Sequence, residues 1–211
     1  YGASDDYEGP LDFSDFARDL LRVLDHFGVA KAHIGGLSMG GRIAQDFYVL
    51  YPERVKTLIL ISTFSGFKNF TDEEKKRFVD LRLKPLTEEG KEPKDIAPIV
   101  AKTLIGPEAT EEQYQRLVES MAALHKESYI KTVEVTTMYD RSAELEDIVV
   151  PTQMIYGEKD SLTQPELGEK MAARIKDCEF KVIPKAGHLI NLEQCDLFNE
   201  TMLPFLLKHK G

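Results

Sequence analysis

Gly36-Leu37-Ser38-Met39-Gly40 stands between an apolar segment and a helical pattern, and few folds accommodate a tight, glycine-flanked turn of that kind. Ala32-His33-Ile34-Gly35-Gly36 reads as a strand entering the turn, and Gly40 to Tyr51, closed by Pro52, as a helix leaving it. Val55-Lys56-Thr57-Leu58-Ile59-Leu60-Ile61 follows as a second strand. It is almost continuously apolar, as expected where helices cover both faces of a parallel sheet. Upstream, Phe13, Phe16, Leu20, Leu21, Leu24 and Phe27 recur at three- and four-residue intervals, which predicts an amphipathic helix over Leu11 to Phe27 with Gly28 as its stop. The same grammar returns near the C-terminus. Pro151 to Tyr156 reads as a strand, Glu166 to Ile175 as a helix, Phe180 to Ile183 as a strand, and Asp196 to Leu207 as a helix interrupted at Pro204.

Between these blocks, from about Gly66 to Ser142, the composition turns charge-rich and helical, as in Thr71 to Leu83, Thr110 to His125 and Ser128 to Tyr139. No buried strand is predicted there. A helical insertion between two strands of an α/β sheet suggests a lid, with Lys84 to Pro93 as an exposed loop within it. The expected division is a core of residues 1–65 and 143–211 with a helical cap of residues 66–142.

A serine on a sharp strand-to-helix turn is held in a strained backbone that lifts its hydroxyl clear of the chain, and flanking glycines leave room for the turn. Ser38 then lies at the positive end of the helix dipole, where the Met39 N–H can meet a developing oxyanion. The plainer reading is a glycine-rich turn whose serine caps the helix. A serine nucleophile needs a neighbouring base, and the base needs an orienting carboxylate. Of the five histidines, His188 follows the Phe180 to Ile183 strand in a short loop, at the carboxyl edge where sites of α/β sheets form. His26 and His125 fall in helical pattern, His209 in the charged tail, and His33 inside a strand, where packing is the simpler role. For the acid, Tyr156-Gly157-Glu158-Lys159-Asp160 leaves a strand toward the same edge. Asp160 is the preferred residue; Glu158 is the alternative, or caps the next helix.

Taken together, Gly36-Leu37-Ser38-Met39-Gly40-Gly41, Tyr51-Pro52-Glu53-Arg54-Val55, Gly157-Glu158-Lys159-Asp160 and Ala186-Gly187-His188 resemble the α/β-hydrolase fold superfamily, in its Ser…Asp…His chain order. The spacings, 160 − 38 = 122 and 188 − 160 = 28 residues, are similar to those of members with a helical cap. His188-Leu189-Ile190-Asn191-Leu192-Glu193-Gln194 is similar to the corresponding stretch of 3-oxoadipate enol-lactonases, carboxylesterases and related small-molecule hydrolases. The resemblance implies an α/β fold with a mostly parallel sheet, a Ser38-His188-Asp160 triad, no cofactor and no metal. It also implies hydrolysis of a small-molecule ester or lactone through an acyl-enzyme. Carbon–carbon bond hydrolases and receptor-like members that hold a ligand with little turnover share the pattern, whereas Ser38 argues against relatives with an aspartate nucleophile. Tyr1-Gly2-Ala3-Ser4-Asp5 resembles the loop after the family's fourth strand, so the N-terminal strands, with a second oxyanion donor, are expected to lie outside this chain. Self-association, or pairing with such a segment, is the corresponding expectation.

Composition narrows the classes further. A net charge of −9 without a lysine or arginine cluster argues against a nucleic-acid partner, whose phosphates demand a basic stripe. No apolar run approaches a membrane span, so no membrane partner is expected. Cys178 and Cys195 have no metal-site spacing and read as unpaired thiols, in keeping with a cytoplasmic setting; any N-terminal signal would lie upstream of Tyr1, outside this sequence.

Overall fold

The computed structural model describes residues 2–210. In chain order the elements are α1 (Asp15–His26), β1 (Ala32–Leu37), α2 (Met39–Leu50), β2 (Val55–Ile61), α3 (Asp72–Thr87), α4 (Pro93–Leu104), α5 (Glu111–Ala122) and α6 (Lys126–Thr136). Then come β3 (Thr152–Gly157), α7 (Pro165–Ala172), β4 (Cys178–Ile183), α8 (Ile190–Glu193) and α9 (Cys195–Lys208). The strands form one four-stranded sheet in the order β1-β2-β3-β4. Every neighbouring pair is parallel, with Leu37 opposite Ile61, Ile61 opposite Ile155, and Gly157 opposite Ile183. All four strands therefore end at one edge.

The chain divides into two compact units. The sheet unit comprises Ser14–Ser65, Gly106–Ala109 and residues 141–210. Because side chains alternate along a strand, β2 and β3 feed two cores at once. Leu58, Leu60, Met154 and Tyr156 join Ala17 and Leu24 of α1, Phe47 of α2 and Met171 of α7 in one cluster. Ile59, Ile61 and Ile155 join Ile190, Phe198 and Phe205 of α8 and α9 in the other. Each such side chain removed from water contributes roughly 1.5–3 kcal/mol before chain entropy is counted. This two-sided burial is the reason β2 and β3 read as unbroken apolar runs. Helix α1 starts later than its apolar stripe suggested, at Asp15, and stops as expected. Gly28 takes φ +63°, its N–H donates to the Asp25 carbonyl, and the Val29 N–H donates to the Leu24 carbonyl.

The second unit comprises residues 2–13, Gly66–Ile105 and Thr110–Asp140. It is helical, with α3 packed on α6 and α4 on α5. Capping boxes start two of its helices: Thr71 with Glu74 on α3, and Thr110 with Gln113 on α5. The boundaries read from sequence differ from this partition in three places, the smallest being Arg141 and Ser142, which fall in the sheet unit. Residues 2–13 cluster with the helical insertion, because Asp6 accepts hydrogen bonds from His125 and Ser128, Lys131 donates to the Tyr7 carbonyl, and Phe13 stacks on Tyr139 at 4.3 Å. Residues Gly106–Ala109 leave the insertion for the sheet unit.

Prolines account for the other departures. Lys84 to Thr87, expected in a loop, completes α3 through Pro85; α4 contains Pro98 and had no counterpart in the sequence reading; α9 runs unbroken through Pro204. A proline inside a helix deprives the carbonyl four residues earlier of its partner. Those carbonyls belong to Leu81, Lys94 and Glu200, all exposed, so water can take the bond.

Candidate active site

Ser38 directly follows β1 and caps α2 with φ 54° and ψ −116°, a backbone that non-glycine residues rarely adopt. Its side chain makes no capping bond, so the plain helix-cap reading does not describe it. The turn is held by main-chain bonds instead. The Ser38 N–H donates to the Ile61 carbonyl at 2.8 Å, and the Ser38 carbonyl accepts from the Gly41 N–H and, at 2.6 Å, from the Thr63 hydroxyl. A Cβ on Gly36 would stand 2.6 Å from the Gly41 nitrogen, and one on Gly41 would stand 2.7 Å from Thr63 Cβ. Gly40 has open space around it. The steric demand for glycine therefore falls on Gly36 and Gly41 rather than evenly on the residues flanking Ser38. Met39 opens α2, and the first N–H groups of a helix have no carbonyl within it to bind, so the Met39 N–H is a fixed donor beside the serine.

Asp160 lies three residues past β3 and His188 five past β4, at the same carboxyl edge as Ser38. Both are buried, 3% and 4% exposed. His188 Nδ1 lies 2.9 Å from Asp160 Oδ2. An ionised carboxylate only accepts, so Nδ1 carries the proton and Nε2 keeps a lone pair, the arrangement a general base requires. The Thr163 hydroxyl donates to the same Oδ2 at 2.6 Å, and Oδ1 accepts from the N–H groups of Leu162 and Thr163. Burial pushes the Asp160 carboxyl up, but the bond to His188, the electrostatic attraction of that side chain and the bonds from Thr163 outweigh it and hold the group below its ordinary value. Among the described residues no hydrogen bond joins the Ser38 hydroxyl to His188; such contacts commonly tighten only when substrate is bound.

The alternative acid, Glu158, is turned elsewhere. It is exposed, and its carboxylate accepts from the Lys185 N–H at 2.9 Å, with Lys159 alongside. His33 bonds Thr57 through Nδ1 at 2.8 Å near the opposite edge of the sheet, its basicity lowered by burial and by the neighbouring charges of Lys56 and His209. His26 ends α1, His125 pairs with Asp6, and His209 packs against Phe205. Cys178 and Cys195 are both free thiols, and burial pushes that of Cys178 up to about 12. Among the described residues no cluster of histidine, cysteine and carboxylate side chains suited to a metal is found, and no helix is long and apolar enough to cross a membrane.

Two residues at this edge escaped the sequence reading. Thr163 had a weak signal, a hydroxyl three residues after a candidate acid. Glu193 had none that periodicity or spacing could isolate, yet its buried carboxylate accepts from the N–H groups of Gly187 and Leu189, one on each side of His188.

The family characterised by the alpha/beta hydrolase fold matches this chain over residues 1–194. The chain belongs to that family. Among relatives of this hydrolase fold, the 2-hydroxy-6-oxononadienedioate/2-hydroxy-6-oxononatrienedioate hydrolase of Paraburkholderia phymatum is 31% identical over 198 residues, which span 90% of this chain and 67% of the relative. A thermophilic esterase from Thermogutta terrifontis, solved with malate bound, superposes with a TM-score of 0.90 at 27% identity, over 99% of this chain and 77% of the esterase. The enol-lactonase of Burkholderia xenovorans LB400 shares the fold, with a TM-score of 0.86 at 24% identity over 98% of this chain and 77% of the lactonase.

Proposed function

We propose that this member of the hydrolase fold is a serine hydrolase that cleaves a carboxylic ester or lactone of a small molecule through an acyl-enzyme. The observation that carries the reading is the buried Asp160–His188 pair at the carboxyl edge where the strained Ser38 elbow stands. In this reading Ser38 attacks the substrate carbonyl while His188 Nε2 takes its proton. Asp160 holds the imidazole and stabilises the imidazolium, and the Met39 N–H faces the developing oxyanion. His188 then returns the proton to the leaving alcohol, and water repeats the sequence to release the acid. The thermophilic esterase supports the choice of substrate class.

A second reading is favoured by the relative from Paraburkholderia phymatum, whose name places its substrate among oxo-dienedioates. There the same serine and histidine would act on a ketone, and the bond broken would be carbon–carbon. Both readings need an activated Ser38. A fluorophosphonate probe should label Ser38 and no other serine, and labelling that persists in Ser38→Ala would overturn the assignment. Ser38→Ala and His188→Ala should each lower kcat by about 10⁶-fold, since members of one catalytic unit fail together. Asp160→Asn should cost about 10⁴-fold. Assay against p-nitrophenyl esters, lactones and vinylogous diketones separates the readings, and turnover confined to the diketones would select carbon–carbon cleavage.

A further inference from the structure

We propose that Glu193 is the positioning residue for His188: its carboxylate clasps the backbone on both sides of the histidine and so fixes the imidazole for proton transfer. The inference rests on the role of His188 as general base. His188 sits in a loop between β4 and α8, and among the described residues its ring is anchored at one atom only, Nδ1, by Asp160 and Thr163. A single anchor leaves the ring free to tilt about that point unless the main chain beneath it is fixed. Glu193 supplies what is missing. Its Oε2 accepts from the Gly187 N–H at 2.7 Å and its Oε1 from the Leu189 N–H at 3.0 Å, so the residues before and after His188 are tied to one rigid carboxylate. The Glu193 N–H in turn donates to the Leu189 carbonyl at 2.9 Å, which closes a small ring through α8. At 8% exposure the carboxylate is shielded from water, and hydrogen bonds to a charged acceptor in that setting are stronger than neutral ones.

The wall behind the clasp is also built. A Cβ on Gly187 would fall 2.6 Å from the Gly106 nitrogen, and one on Gly106 would fall 2.7 Å from the Gly187 nitrogen. The two backbones are in direct apposition, and the segment Gly106–Ala109 therefore backs the histidine loop within the sheet unit. The outer half of the loop is held by a different carboxylate. Glu158 accepts from the Lys185 N–H, where Lys185 takes φ +64°. Glu158 is exposed and among the described residues its carboxylate bonds Lys185 and Lys159 rather than Gly187 or Leu189, so it shapes the loop's entry, while Glu193 governs the residue that reacts.

Glu193→Gln keeps the volume but leaves one acceptor oxygen; the amide would present its own N–H groups to one of the two backbone donors. In the full chain, kcat toward p-nitrophenyl acetate should fall by about 10²-fold, the scale of an ångström-sized misplacement of a catalytic group, with KM unchanged. The downfield proton resonance of His188 Nδ1–H should shift or broaden. Asp46→Asn, which disturbs a buried carboxylate paired with Arg141, should lower the melting temperature while kcat and that resonance stay as in the wild type. Glu193→Asp, which keeps a carboxylate but withdraws it by one methylene from the two backbone donors, should reproduce the loss and decides the matter if Glu193→Gln does not fold. Wild-type kcat and an unshifted resonance in a folded Glu193→Gln or Glu193→Asp variant would overturn the proposal. If the wild-type chain itself fails to react with fluorophosphonate, the serine-hydrolase reading falls, and the resonance alone still reports whether Glu193 orients the ring.

Discussion

Asp160 serves two roles with one carboxylate. Its Oδ1 closes a local turn by accepting from Leu162 and Thr163, as an aspartate in any loop does, while its Oδ2 faces His188. The turn-closing bonds and the contact with His188 coexist because the two oxygens point in different directions. The hydroxyl of Thr163 adds a fourth bond, and its removal tests how far the site depends on it. Thr163→Val, close to the same shape, should lower stability at neutral pH by about 1.5–3 kcal/mol, the usual range for a hydrogen bond to a charged group. The sign of the pH dependence follows from the depressed acidity of Asp160. A carboxyl whose folded value lies below its unfolded value contributes stability that is present above about pH 4 and is lost as pH falls through the folded value. The stability gap between wild type and Thr163→Val, measured by urea unfolding across the acid range, should be widest above that point and shrink below it. A gap that widens on acidification would contradict the assignment.

The elbow shows how an element's geometry is set by a neighbour outside it. Gly36 and Gly41 are demanded by close approach, Gly36 to the helix backbone and Gly41 to Thr63, two residues past β2, whereas Gly40 has room. Motif spacing marks a glycine at each place without saying which contact requires it, because the contact partner of Gly41 is 22 residues further along the chain, 63 − 41 = 22. Gly41→Ala should destabilise the chain by about 1–3 kcal/mol through overpacking, read as a lowered melting temperature. In the Thr63→Ala background the same substitution should cost markedly less, and equal costs in both backgrounds would mean that Thr63 is not the obstacle. Helices α3, α4 and α9 carry the complementary lesson. Their prolines shortened α3, hid α4 and interrupted α9 in the reading of the sequence, and the helices persist because the carbonyl that loses its partner belongs in each case to an exposed residue.

Across the molecule as a whole, the two borders of the four-stranded sheet differ in kind. Along β4, Glu179 and Lys181 place charge on the border, which discourages pairing with another strand. Along β1, Ala32-His33-Ile34-Gly35-Gly36-Leu37 carries no acidic residue, lysine or proline. The 211-residue chain should therefore self-associate through β1, with light scattering reporting species larger than a monomer and β1 amides protected from exchange in them. A strict monomer at high concentration with rapidly exchanging β1 amides would contradict this. Periodicity and turn chemistry were sufficient to read the α/β class, the order of the strands and of the helices other than α4 and α8, and the placing of Ser38, Asp160 and His188 just past strand ends, since all of these depend on patterns within a few residues of one another. Chain contacts over long separations settled the rest. The attachment of residues 2–13 to the helical unit comes from Asp6 meeting His125 and Ser128, 119 and 122 residues away. The return of Gly106–Ala109 to the sheet unit comes from a glycine backbone fitted against Gly187. The clasp of Glu193 on both sides of His188 is local in sequence but depends on a loop conformation and a burial that no periodicity encodes, because a carboxylate's partners are chosen by where the folded backbone presents its N–H groups.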